Sequence, residues 1–106
     1  MKKEETLIET AEVKVRVMRL GPGEEVPFHH HTQVTDHMFG LSGKMEVRLQ
    51  GPAETFVLGP GVRCEIPPGR VHQVANRSAE APAEYLLVQG VGSYDFIRKS
   101  AERPGA

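Results

Sequence analysis

Turn-forming residues recur along this chain too often for a long helix to fit between them. Its 106 residues include 11 glycines and 8 prolines, and several fall together as Gly21-Pro22-Gly23, Gly59-Pro60-Gly61 and Pro67-Pro68-Gly69. Glycine opens positive φ, and proline fixes φ and removes a donor, so each cluster turns the chain. The stretches between them are short and alternate. Val13, Val15 and Val17 alternate with Lys14 and Arg16, which reads as a half-buried strand. Met45, Val47 and Leu49 alternate with Lys44, Glu46 and Arg48, the clearest strand signal in the chain. Val26 to His31 alternates weakly. Met38 to Leu41, Thr55 to Leu58, Val62 to Ile66, Val71 to Ala75 and Tyr85 to Gln89 complete the set, with a turn over Gln50 to Ala53. Only Tyr94 to Glu102 carries a hint of helical period. Many short strands at close, even spacing predict an all-β sandwich or barrel.

The length fits one domain, with a core over about residues 13–90 and exposed ends at Met1 to Glu9 and Ser100 to Ala106. Net charge is -1 with no basic stripe, so nucleic acid is not an expected partner. Cys64 is the single cysteine, which rules out an intrachain disulfide and marks no oxidising compartment. No apolar run approaches a membrane span or a signal-peptide core, so the expectation is a cytoplasmic protein without a membrane partner. Asn76-Arg77-Ser78 matches a glycosylation sequon and is read as coincidence.

Four of the five histidines lie between His29 and His37. His29 and His31 are two apart in a strand-like stretch, so their imidazoles share a face and converge, as a metal ion requires. His30 points the other way. A carboxylate, Asp36, follows across a bend. His37, its neighbour, would face the opposite side of a strand, and periodicity alone does not choose between the two.

A second segment changes the weight of this cluster. Gly23, His29, His31, Asp36 and Gly43 are separated by five, one, four and six residues. That pattern resembles the first cupin motif, with Asp36 standing where the family usually has glutamate. Gly61, Pro67, Gly69, His72 and Asn76 are separated by five, one, two and three residues, and these look like the second motif. The resemblance runs from about Val13 to Val88. It implies a cupin β-barrel, a double-stranded β-helix of jelly-roll type. It also implies one divalent transition metal ion (Fe, Mn, Co, Ni or Zn) held by His29, His31, His72 and Asp36. The shorter Asp36 side chain leaves open whether it binds the ion directly or through water. Such a ligand set leaves coordination positions open, as metal catalysis requires.

The expected function is therefore that of a small metal-dependent enzyme acting on a small molecule, with an oxygenase as the leading reaction class. Isomerase or lyase chemistry follows behind. The alternative is a non-catalytic ligand-binding or sensing barrel with a structural metal. His30, His37, Glu65 and Tyr85 are the spare acids and bases near the motifs, and none is securely placed. Arg48, Arg63 and Arg70 read as exposed side chains, and Cys64 as a packing residue. Met38, Met45, Phe56 and Tyr85 are expected to line or pack the barrel, giving a cavity more apolar than charged. Asn76 is expected to hydrogen-bond loop backbone. A homodimer is expected, with the Val13–Val17 strand offering an edge for pairing.

Overall fold

The computed structural model describes residues 3–90 and 96–98. Among them there are ten strands and no helix. These are β1 (Glu4–Glu9), β2 (Val13–Leu20), β3 (Glu25–His30), β4 (Thr35–Ser42), β5 (Met45–Leu49), β6 (Glu54–Leu58), β7 (Arg63–Ile66), β8 (His72–Ala75), β9 (Ala83–Gly90) and β10 (Ile97–Arg98). They form two five-stranded sheets, one in the order β1-β2-β9-β4-β7 and the other in the order β10-β3-β8-β5-β6. Every pairing is antiparallel. From β2 onward the chain passes from one sheet to the other at nearly every connection, which is jelly-roll connectivity.

Alternation puts one face of each strand inside. On β9, Ala83, Tyr85, Leu87 and Gln89 are buried, and on β5 Met45, Val47 and Leu49. With Leu20, Met38, Leu58, Ile66 and Val74 they make the apolar core. Cys64 packs against that core, as expected, and burial pushes its thiol up. Gly40 on β4 lies where a Cβ would come within 2.0 Å of the Gly59 carbonyl oxygen. Only glycine allows the β6–β7 turn to close on β4 there.

The structure corrects several expectations. On β2 the buried positions are Arg16 and Leu20, not the valine row. The β2 strand is also not an edge, because β1 and β9 flank it. Among the described residues, the edge strands are β1, β7, β10 and β6. All six side chains of residues 4–9 are exposed, and the segment is also ordered as strand β1. Phe56 is 46% exposed on the edge strand β6 and does not line the barrel. Within the stretch that hinted at a helix, Ile97–Arg98 pairs as a strand with β3, and most of its remaining residues lie outside the described ones. The expected exposed end at Ser100 to Ala106 also lies outside them.

Candidate metal centre

His29 and His72 are direct cross-strand partners on β3 and β8, with Leu49 of β5 beside His72. In the facing sheet, Asp36 of β4 has Gln89 of β9 and Ile66 of β7 as its partners. These two rows meet inside the molecule. His31 enters from just beyond β3, and its carbonyl accepts a 2.7 Å hydrogen bond from the Gly69 amide. Gly69 holds φ at 82°, the left-handed region that glycine enters at low cost. The Pro67-Pro68-Gly69 corner thus sets the entry of β8 and also ties down the His31 loop.

The result is a cluster of His29, His31, Asp36 and His72, all buried, whose ligand atoms lie within 4.8 Å of one another. The Asp36 Oδ2 atom stands 3.0 Å from His72 Nε2 and 3.2 Å from His31 Nε2. Its Oδ1 accepts a 2.9 Å bond from Gln89 Nε2. Burial would push the Asp36 carboxyl up. The contacts with His31, His72 and Gln89 outweigh that and hold it below its ordinary value. Burial is also the main influence on His29, whose pKa falls to about 4 despite the opposing bond to Pro27.

The tautomers test whether these residues fit a metal ion. A backbone carbonyl only accepts, so His29 Nδ1 donates to Pro27 O at 2.7 Å, and His72 Nδ1 donates to Arg70 O at 2.9 Å. A neutral ring then carries its lone pair on Nε2. This is the arrangement in which metal-binding histidines are oriented by their other nitrogen. For His72 that lone pair faces the Asp36 carboxylate, and two acceptors 3.0 Å apart require a metal ion or a proton between them. The donor set, its burial and its tautomers all fit a divalent ion.

Beside the cluster lies a cavity of about 240 Å³. Met38, Tyr85 and Leu87 contribute apolar wall, and burial pushes the Tyr85 phenol up. Phe96 stacks on His29 with ring centroids 4.1 Å apart. The cavity is less apolar than the sequence suggested, because Arg16 and Glu4 also line it.

A family model for the cupin domain matches residues 16–89. The chain belongs to the cupin family. A comparison with curated proteins gives no match. Among solved structures, this cupin is similar to a conserved Klebsiella pneumoniae protein with a double-stranded β-helix domain. The two are 27% identical with a TM-score of 0.78, over 88% of this chain and 75% of that one. It is also similar to a protein of Thermus thermophilus, at 29% identity and TM-score 0.72, over 83% of each chain. An oxalate oxidase in complex with glycolate shares the fold at 18% identity and TM-score 0.74, over 82% of this cupin and 46% of that chain.

The structure brings together all four ligands expected of the cupin motifs and separates the alternatives from them. His37 faces outward, 3.6 Å from Glu65 and 37% exposed. His30 lies on the opposite side of β3 from His29. Arg48 pairs with Glu46, and Arg70 binds the backbone at Gln50 and Pro52 together with Glu54. Those two arginines and Arg63 all lie outside the cavity lining. Asn76 holds loop backbone as expected, donating to the carbonyls of Leu20, Gly21 and Ala81. Sequence reading missed Arg16, Gln89, Glu4 and Phe96. Arg16 was hidden because a charged residue between valines reads as the solvent side. Gln89 carried a detectable signal, since it continues the inward alternation of Tyr85 and Leu87.

Proposed function

We propose that this cupin binds one divalent transition metal ion through His29, His31, Asp36 and His72 and acts as a small metal-dependent enzyme, with oxygenation as the leading reaction class. The observation that carries the reading is the buried cluster itself, in which three imidazoles and the Asp36 carboxylate bring their ligand atoms within 4.8 Å of one another. When bound there, the ion would supply Lewis acidity or oxygen activation at coordination positions left open by the protein.

The protein's own part is to orient and to exclude. The carbonyls of Pro27 and Arg70 lock two imidazoles, and Gln89 fixes the carboxylate. Apolar walls on the cavity limit water. The placement of acids and bases favours oxygen chemistry over hydrolysis or epimerisation, which need a positioned proton acceptor. His30, His37 and Glu65 lie away from the cavity lining, Tyr85 is held protonated, and Glu4 is engaged by Arg16.

Elemental analysis of protein purified without chelator tests the metal. An oxygen-electrode screen with aromatic diols, diketones and thiols tests the reaction. About one metal per chain with substrate-dependent oxygen uptake is the expected result. A full metal site with no uptake across the screen favours a binding or sensing role. We also infer a single domain that forms a homodimer, and light scattering at twice the chain mass is the expected reading.

A further inference from the structure

Arg16 is the charged feature of the cavity that metal binding leaves unused. It projects inward from β2, on the same side as Met18 and Leu20, and is only 6% exposed. An apolar side chain there would continue the core, and a buried ion pair is seldom more stabilising than such packing. Two of the acceptors that hold the guanidinium differ in kind. One is the side-chain oxygen of Gln89, which is buried and fixed at its other end by Asp36. The other is Glu4, whose Oε2 accepts from Nη1 at 2.9 Å. Glu4 stands on the exposed edge strand β1, with its side chain 51% accessible. One partner is therefore built in, and the other is a carboxylate at the rim that can be exchanged.

We propose that the cavity takes a small organic carboxylate, whose acid group replaces Glu4 on Arg16 while its body lies against Met18 and Met38. The proposal rests on the metal reading only in that the ligand's far end would reach the His/Asp cluster. The planar guanidinium fork matches a carboxylate in shape and charge. Glu4 itself demonstrates that a carboxylate fits the position. The volume of about 240 Å³ lies below the ~300–1,000 Å³ of sites for drug-sized ligands, which restricts the body to a few carbons or one ring. The exchange also selects. An acid that displaces Glu4 restores the ion pair Arg16 gives up, whereas a neutral analogue does not.

Calorimetric titration with acetate, glycolate and benzoate, each against its amide, tests this on metal-loaded and chelator-treated protein. Wild type is expected to bind at least one acid tenfold or more tightly than its amide. R16Q should erase that preference. E4Q should strengthen acid binding severalfold, because the competing carboxylate has lost its charge. The two variants are expected to move in opposite directions, which a general loss of folding would not produce. The proposal is overturned if no acid outcompetes its amide on wild type, if R16Q keeps the preference, or if E4Q leaves acid binding unchanged or weaker. Metal content measured on the same samples separates the two readings. Metal-loaded wild type with an unaffected R16Q sinks the carboxylate site alone. Metal-free wild type whose acid preference still depends on Arg16 sinks the metal centre alone.

Discussion

Lowering the pH of metal-free protein should destabilise it over a range set by His29. Folding moves this imidazole from an ordinary value near 6.5 to about 4, chiefly through burial. The folded state therefore binds fewer protons than the unfolded chain between those values, and stability must fall as pH drops through that window. Full development of a shift of about 2.5 units at 1.36 kcal/mol each is worth about 3 kcal/mol. By the same linkage, His29 contributes a loss of about 1 kcal/mol between pH 7.5 and 5.5, rising to roughly 2–3 kcal/mol by pH 4.5. Asp36 acts lower still. Its folded value is depressed, so its contribution is present above the unfolded carboxylate range and is lost in stronger acid. Urea denaturation of chelator-treated protein at one-unit intervals measures the curve, and the difference between wild type and His29→Gln isolates the imidazole. A wild-type curve parallel to that of His29→Gln from pH 7.5 to 4.5 would show that His29 does not carry this linkage.

Three further outcomes can be checked on the same preparations. Excess divalent ion at a hundredfold over Kd should stabilise the wild type by about 2.7 kcal/mol. A chelator should remove that gain, and His72→Ala should make the melting temperature indifferent to both. Asp36→Asn should lower metal affinity while His37→Gln leaves it unchanged, because His37 faces Glu65 on the outer side of β4; metal content after dialysis decides. Asn76→Ala should cost about 2–4 kcal/mol in chemical denaturation, since it leaves the carbonyls of Leu20, Gly21 and Ala81 and the Ser78 amide without their side-chain partner.

What could be read from the sequence was what depends on neighbours along the chain. Period-two alternation located β2 and β5, and Gly-Pro clusters located the turns. The spacing of His29 to His31 put two imidazoles on one side of the chain. The second motif supplied His72 because a proline and a glycine at fixed offsets make one particular corner. Contacts between distant strands were not legible. Arg16 and Gln89 are 73 residues apart, and neither carries a local sign that the other hydrogen-bonds to it. Phe56 failed for a related reason. An edge strand is half uncovered, so an aromatic on β6 alternates like a core residue while facing solvent. Glu4 was lost with the assumption that a charged N-terminal stretch has no role inside.

Metal affinity here rests on which His72 nitrogen faces the carboxylate. The Arg70 carbonyl accepts from Nδ1 at 2.9 Å, which leaves Nε2, 3.0 Å from the Asp36 oxygen, as the ligand atom. His31 and His29 add two more imidazoles within 4.8 Å. Removing the His72 ring should therefore weaken the site without emptying the pocket of its other donors. Calorimetric titration of chelator-stripped protein with Zn²⁺ measures the affinity, and His72→Asn should lower it by about tenfold or more. Zn²⁺ binding by His72→Asn as tight as by the wild type would mean that His72 is not a ligand, and the geometric argument for the metal centre would lose its nearest pair.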